Sequence, residues 1–201
     1  EVCDVIAAVG WQFAEALPTV AEELPEKKFL FIDNVMNGSL DNEMSIVYAQ
    51  NEGSFLVGYI AGKLSKTGKV GVVGGQDSET INDFIVGYEA GAKYANPDCA
   101  VEVQYANDFE DPAKGKECAL ALYGLGCDIV YQVAGKTGEG VFEAAAETGN
   151  YAIGVDGDQK YINPDVIICS MVKQVGKSIY DTVSDMDTYF AGGTVWTADM
   201  S

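Results

Sequence analysis

The tripeptide Gly135-Lys136-Thr137 follows an apolar run and matches the end of the phosphate-binding loop of many ATPases and GTPases. That loop requires Gly-x-x-x-x-Gly-Lys-[Ser/Thr], because its first glycine lets the backbone wrap around the phosphates. The required glycine would stand at position 130, which is occupied by Val130 inside the apolar run. The spacing therefore argues against nucleotide hydrolysis. Gly135–Gly138 is instead a glycine-rich turn that either donates N–H groups to a ligand oxygen or caps the next helix.

A second polar turn, GVDGDQ at 154–159, places two acids and an amide directly after an apolar run. Aspartate and glycine are common in solvated turns, which is one interpretation. In the other, a strand-end carboxylate accepts hydrogen bonds from the paired hydroxyls of a ribose or another sugar, and Asp156 and Asp158 are the candidates. Asp33, after the run FLFI, allows the same two interpretations. Catalysis by paired carboxylates, Asp156 with Asp158 or with Asp33, is a third and less favoured alternative.

Three further side chains stand near the ends of apolar runs. Lys173 ends the run VIICSMVK and is either a solvated lysine or a ligand contact. Trp11 and Phe13 follow the first apolar run. Aromatic residues near a helix start are often part of a core, but a ring at the mouth of a cleft can also stack on a base or a sugar face.

The residue inventory narrows the chemistry further. All 12 basic residues are lysines, there are 31 acidic residues and no histidine, and the net charge is −19. Catalytic triads that contain histidine and metal sites that contain histidine are therefore excluded. So acidic a chain repels phosphate backbones, and nucleic acid is not expected as a partner. Without arginine to hold a carboxylate or phosphate, a neutral polyol or base is the better ligand, and no cofactor is expected.

The five cysteines are dispersed and form no C-x-x-C pair. This spacing predicts buried free thiols rather than a disulfide framework. No apolar run approaches the roughly 18–20 residues needed to span a bilayer.

Short apolar runs alternate with segments of helical periodicity, and this alternation must position the polar turns. The predicted strands are 3–10, 28–34, 44–50, 69–75, 100–107, 127–135, 151–159 and 165–173. The predicted helices are 12–25, 52–68, 77–97, 111–126, 138–149 and 174–190. Continuously apolar strands predict an α/β fold with parallel sheets covered on both faces. Ligands of such sheets bind at the carboxyl ends of the strands, where the polar turns lie.

Several of these segments together resemble one family. The stretches are CDVIAAVGWQF, FLFIDN, NEGSFLVGYIAGKLSKTGKVGVVGG, FIVGYEAGAKYANPD, CDIVYQVAGKTGEGVFEAA, YAIGVDGDQ and CSMVK. They are similar to the basic membrane protein family, the substrate-binding lipoproteins of ABC transporters, which includes the purine nucleoside receptor of treponemes. The resemblance covers nearly the whole chain in order.

The resemblance implies a type I periplasmic-binding-protein fold with two Rossmann-like lobes that close on a ligand. One lobe would contain 1–48 with 172–201 and would lack the family's first strand–helix unit; the other would contain 49–171. It also implies a nucleoside between aromatic rings, with Asp156 and Lys173 binding the ribose. The turn Gly135–Gly138, Trp11 and Phe13 become candidate walls of the site.

The function implied is capture of a purine nucleoside for import through an ABC permease, without catalysis. The expected location is outside the cytoplasm, either periplasmic or held by a lipid anchor whose segment is not in this chain. Two alternatives stay open. One is a ligand-sensing regulator or surface receptor of the same fold, and the other is a protein that binds a sugar rather than a nucleoside.

Overall fold

A computed structural model describes residues 3–36, 40–190 and 193–199. Its strands are β1 Val5–Val9, β2 Lys28–Ile32, β3 Glu43–Tyr48, β4 Lys69–Gly74, β5 Ala100–Tyr105, β6 Ile129–Val133, β7 Tyr151–Asp156, β8 Ile167–Val172 and β9 Thr194–Ala198. Its helices are α1 Ala16–Glu23, α2 Gln50–Leu64, α3 Glu79–Ala95, α4 Pro112–Gly124, α5 Glu139–Thr148, α6 Val175–Ser184 and α7 Met186–Tyr189, with 3-10 turns at Trp11–Phe13 and Gly135–Gly138.

The chain divides into two compact units. Unit 1 contains residues 1–49 and 174–201, and unit 2 contains residues 50–173. The lobes expected from the sequence, 1–48 with 172–201 and 49–171, differ from these units by one or two residues at each boundary.

Unit 2 is built on a five-stranded parallel sheet of order β5-β4-β6-β7-β8. Helices cover both faces of this sheet. Along β6, Ile129 and Tyr131 pack with α2 and α3, whereas Val130 packs with α4 and α5. Since both faces of the central strands β4 and β6 are buried, these strands are mostly apolar at consecutive positions, as the sequence predicts, whereas the edge strand β5 is only half-buried.

Local signals set the ends of the helices in unit 2. Pro112 begins α4, and the Asp111 side chain caps it by accepting a hydrogen bond from the N–H of Ala113 at 3.0 Å. Gly149 ends α5 with a left-handed φ of 70°. Proline suits a first turn and glycine suits a left-handed helix end, so Pro112 and Gly149 are local signals that the sequence itself carries.

Unit 1 has a four-stranded parallel sheet of order β1-β2-β3-β9. Phe29 and Phe31 of β2 face α1, and Leu30 and Ile32 face the opposite side. Strand β9 was not predicted from the sequence. The predicted helix 12–25 is shorter than expected, since a 3-10 turn precedes α1, and the predicted helix 174–190 is divided into α6 and α7 at Asp185.

These sheets and helices confirm the α/β fold with two parallel sheets. Among the residues that the structure describes, none of the helices is both long and apolar enough to cross a membrane.

Candidate functional site

The carboxyl ends of β6 and β7 lie next to each other in unit 2 and lead into the two polar turns. A cleft of about 480 Å³ opens between these turns. Its polar and aromatic lining includes Lys136, Glu139, Asp156, Asp158, Gln159 and Tyr161. The topology therefore brings together four of the residues predicted from the sequence: Gly135, Lys136, Asp156 and Asp158.

Asp156 is the last residue of β7 and has a left-handed backbone, with φ of 64°. Residues other than glycine rarely adopt this conformation, and it concentrates at functional sites. Its carbonyl accepts a hydrogen bond from the N–H of Lys173 at 2.9 Å, and the next N–H, that of Gly157, donates to the carbonyl of Val155 at 2.8 Å. The backbone on both sides of Asp156 is thereby held, and its exposed side chain lines the cleft.

Lys173 follows β8, the strand next to β7. Its side chain is only 8% exposed, and its Nζ lies 4.9 Å from the ring centroid of Phe84. The interpretation of Lys173 as a solvated lysine is therefore wrong. An ammonium group over an aromatic face gains electrostatic stabilisation from the ring, and the buried ring limits the positions that this side chain can take.

In the turn Gly135–Gly138, which follows β6, two of the four residues are buried and stabilise the turn. The Thr137 side chain is buried, and its hydroxyl oxygen accepts from the N–H of Asp111 at 2.9 Å. The N–H of Thr137 donates to the carbonyl of Phe109 at 3.2 Å. Gly138 is also buried, and a Cβ there would lie 1.8 Å from Oε1 of Gln132. Thr137 and Gly138 therefore shape the turn from behind, and neither is among the residues that line the cleft.

Three polar residues in or next to the cleft were missed as site residues in the sequence: Gln132 and Gln159, which line the cleft, and Ser170 on β8. Gln132 is completely buried in β6, and its Nε2 donates to Oε1 of Gln159 at 2.7 Å. The N–H of Gln159 donates to the Ser170 hydroxyl on β8 at 3.1 Å. The one available signal was a glutamine inside the apolar strand IVYQV, because a buried amide needs partners that sequence alone does not identify.

In unit 1, Trp11 and Phe13 follow β1, and Asp33 follows the adjacent strand β2. Trp11 is 56% exposed and Phe13 is 47% exposed, so their interpretation as core residues is wrong. Asp33 has a left-handed φ of 63°, and its N–H donates to the carbonyl of Ile46 at 2.9 Å. Unit 1 thus presents two exposed rings and one constrained aspartate at the carboxyl ends of neighbouring strands.

Two titratable groups near the site, Tyr131 and Cys169, have raised pKa values. Burial raises the pKa of Tyr131 well above its usual range, and the negative charge of Asp156 adds to this, although the hydrogen bond with Ser54 opposes it. Burial also raises the pKa of the Cys169 thiol to about 11. At neutral pH this thiol is protonated and is therefore a poor nucleophile.

The cysteines of the described residues are free thiols with different degrees of exposure. No described cysteine forms a disulfide. Cys99 and Cys127 are buried, as predicted, but Cys3 is exposed, so the prediction of buried thiols is wrong for that residue. Among residues 3–36, 40–190 and 193–199, no cluster of three or more cysteine or acidic side chains is placed to hold a metal ion.

Solved structures of ABC-transporter substrate-binding proteins share this fold. The solute-binding protein of an ABC transporter from Aeropyrum pernix K1 has a similar structure, with a TM-score of 0.90 and 32% sequence identity, covering 98% of this chain and 58% of that one. A LacI transcriptional regulator from a Rhodococcus species shares the fold at 14% identity, with a TM-score of 0.73 over 99% of this chain and 75% of that one. The fold is thus the type I periplasmic-binding-protein fold.

The chain belongs to the Bmp family, described as PnrA-like ABC transporter substrate-binding proteins, whose model matches residues 1–201. It is 41% identical to basic membrane protein A of Borreliella burgdorferi over 88% of this chain and 53% of that protein. It is 36% identical to the ABC transporter nucleoside-binding protein BmpA of Lactococcus lactis subsp. cremoris, over 98% of this chain and 61% of that protein. The chain thus spans roughly half to three fifths of the length of these relatives.

Proposed function

We propose that this chain binds a nucleoside, with a purine nucleoside as the expected ligand, for import by an ABC transporter. The observation that carries the proposal is the left-handed Asp156, which lines a cleft at the carboxyl end of a parallel sheet. Parallel α/β sheets bind their ligands at this edge. The name of the Lactococcus relative, a nucleoside-binding protein, supports the choice of ligand class.

In this proposal Asp156 and Lys173 bind the ribose. The Asp156 carboxylate can accept hydrogen bonds from two vicinal hydroxyls, and such charge-assisted bonds are roughly twice as strong as neutral ones. The Lys173 ammonium is a donor for the hydroxyl oxygens. Lys136, Asp158 and Gly135 line the cleft together with Asp156 and supply further polar contacts.

For unit 1 we propose that Trp11 and Phe13 provide aromatic faces for the base and that Asp33 provides a hydrogen-bond acceptor. Exposed rings are suited to this role, since stacking of an aromatic side chain on a base stabilises binding by about 1–3 kcal/mol. A base is neutral and planar, which agrees with a chain that has no arginine or histidine to bind anions.

The remaining parts of the proposal concern the transport system. The bound nucleoside would be passed to a membrane permease, and the protein would act outside the cytoplasm, periplasmic or held at the cell membrane by a lipid anchor. No cofactor and no catalytic step are needed for this role, because binding and release of an unmodified ligand suffice.

The proposal is tested by isothermal titration calorimetry with purine and pyrimidine nucleosides, free bases, pentoses and hexoses. We expect purine nucleosides to bind and to raise the melting temperature by mass action, and free pentoses and bases to bind far more weakly. Binding of pentoses or hexoses without nucleosides would replace the proposal with a sugar-binding function. Release of free base from inosine during the same incubation would indicate a hydrolase instead.

A matched pair of variants locates the site. Asp156→Ala should weaken nucleoside binding by about 100-fold, because two hydrogen bonds to a charged acceptor are lost. Asp165→Ala removes the same charge at an exposed position that does not line the cleft, and it should bind as the wild type does. Equal affinity of both variants would remove Asp156 from the site.

A further inference from the structure

A continuous network of hydrogen bonds through Gln132 and Gln159 links the two turns of the cleft. The N–H of Ala134 donates to Oε1 of Gln132 at 3.1 Å, and Nε2 of Gln132 donates to Oε1 of Gln159 at 2.7 Å. The same Gln159 oxygen accepts from the N–H of Val155 at 2.9 Å. This hydrogen-bond network therefore begins at Ala134, directly before Gly135, and ends at Val155, one residue before Asp156.

The orientation of both amides in this network is determined by their partners. A backbone N–H can only donate, so the N–H groups of Ala134 and Val155 each require an oxygen. Gln132 must then direct its NH2 group towards Gln159, and Gln159 must direct its oxygen towards Gln132. With this orientation every donor in the hydrogen-bond network faces an acceptor. Reversing either amide would place a donor against a donor or an acceptor against an acceptor.

Packing holds the amides in place as well as hydrogen bonding. Gln132 is fully buried, and Gly138 and Gly154 leave the space that the two side chains occupy. A Cβ at Gly154 would lie 2.8 Å from Oε1 of Gln159, and a Cβ at Gly138 would lie 1.8 Å from Oε1 of Gln132. The glutamines therefore have little freedom to move without displacing one of the two turns.

We propose that Gln132 and Gln159 are positioning residues for ligand binding, which hold the left-handed turn at Asp156 in register with the turn at Gly135. This inference rests on the proposed binding function of the cleft. The two glutamines contact the backbone on either side of the cleft and act through it. Asp156 then presents its carboxylate from a backbone that is already fixed before the ligand arrives, which lowers the ordering cost of binding.

The test compares nucleoside affinity in Gln159→Met, Gln159→Glu and Gln132→Met. Methionine keeps the size of glutamine but cannot replace its hydrogen bonds, so both methionine variants should bind the nucleoside about tenfold more weakly. Glutamate at 159 keeps an oxygen for both of its donors, and Gln159→Glu should stay within about threefold of the wild type. In the Asp156→Ala background, Gln159→Met should cause little further loss of affinity, since the positioned group is absent.

Tyr123→Phe is the matched control for a purely structural effect. It removes the hydrogen bond from the Tyr123 hydroxyl to the carbonyl of Tyr151 at 2.8 Å, which lies at the amino end of the same strand β7. It should lower the melting temperature and leave nucleoside affinity unchanged. If Gln159→Met behaves in the same way, with lower stability and wild-type affinity, the positioning role is overturned.

A measurement without ligand separates this inference from the proposed function. Amide hydrogen exchange should be faster at Gly157 and Lys173 in Gln159→Met than in the wild type, because these N–H groups are bonded within and beside the Asp156 turn. Tyr123→Phe should leave their exchange unchanged. If exchange is faster in Gln159→Met but the wild type binds no nucleoside, the glutamines position the turn and the proposed ligand is wrong. Unchanged exchange in Gln159→Met would reject the positioning itself.

Discussion

Asp33 in unit 1 and Asp156 in unit 2 have the same local backbone but different surroundings. Each follows or ends a buried parallel strand, with φ of 63° and 64°. The backbone before Asp156 is hydrogen-bonded to Gln159, whose amide in turn bonds to the fully buried Gln132. Asp33 instead follows β2, and the neighbouring strand β1 leads into the exposed rings of Trp11 and Phe13. A left-handed aspartate is therefore combined with hydrogen-bonded glutamine amides in unit 2 and with exposed aromatic rings in unit 1. We infer that unit 2 recognises hydroxyl groups and that unit 1 recognises a planar base.

The largest expected effect tests how tightly the polar support in unit 2 is packed. Gly138→Ala places a methyl group against the buried Gln132 amide and should lower the free energy of unfolding by about 2–3 kcal/mol. Gly157→Ala is the control, because a Cβ there meets no other atom within 4 Å among the described residues. Urea unfolding of both variants measures the difference. Equal stability would mean that the amide network yields easily and cannot hold the Asp156 turn.

The next prediction tests the backbone feature that the two aspartates share. Asp33→Gly and Asp156→Gly should each be more stable than the corresponding alanine variant by about 1–2 kcal/mol, because glycine adopts the left-handed conformation without a steric cost. Both substitutions at one site lose the same carboxylate, so their difference isolates the backbone. Thermal or urea unfolding measures this difference. If the glycine and alanine variants are equally stable at both positions, the left-handed backbone of the two aspartates is not strained.

A buried carboxyl group in unit 1 provides a contrast with the satisfied amides of unit 2. Glu43 is buried at the start of β3, and neither carboxyl oxygen has a hydrogen-bond partner among the described residues. Burial raises the pKa of this carboxyl group; the nearby Leu40 backbone opposes the shift, and the negative charge of Glu22 adds to it. The folded state therefore holds its proton to higher pH than the unfolded state does, so stability falls as the pH rises above the usual glutamate range.

Glu43→Gln should accordingly raise the free energy of unfolding by about 1 kcal/mol at neutral pH, since a neutral amide is cheaper to bury than a charge. The gain should vanish at acidic pH, where Glu43 itself is protonated. Urea unfolding of wild type and variant between acidic and neutral pH measures this. A stability difference that does not depend on pH would show that the charge of Glu43 is compensated in the folded protein.

The smallest expected effect on stability concerns the exposed rings of unit 1. Trp11→Ala should change the free energy of unfolding by less than about 0.5 kcal/mol, because the side chain is mostly exposed. It should nevertheless weaken nucleoside binding by about tenfold or more through lost stacking. Val195→Ala, at an exposed position on β9, is a control that should change neither property. A large loss of stability in Trp11→Ala would show that the Trp11 ring packs in the core of unit 1.

The sequence was sufficient for the parallel strands β1–β8 and for one end of α4 and of α5, but it did not predict β9. Continuously apolar runs predict strands buried on both faces, and Gly149 and Pro112 predict where helices end and begin. These signals are local, because each depends on the backbone preferences of one residue or on the periodicity of one segment.

Side-chain roles at the strand ends depend on distant partners, which the sequence does not reveal. Thr137 is bonded to the loop at Phe109 and Asp111, which no local pattern connects with it. Lys173 is buried against Phe84 of α3, and Gln132 finds its partner 27 residues away in Gln159. Residue type at a strand end thus marks a candidate turn, and only the tertiary contacts distinguish side chains that face a cleft from those that support it.

The most direct test of the claim that Asp156 recognises the ribose compares one purine ribonucleoside with its 2′-deoxy counterpart. The protein is titrated with both by calorimetry, as wild type and as Asp156→Asn, which tolerates the left-handed backbone and removes the charge. The wild type should prefer the ribonucleoside by roughly 10–100-fold, as expected for one hydrogen bond to a charged acceptor. In Asp156→Asn this preference should shrink to a few-fold at most. If the variant discriminates between the two ligands as strongly as the wild type does, Asp156 does not bind the ribose and the account of unit 2 is contradicted.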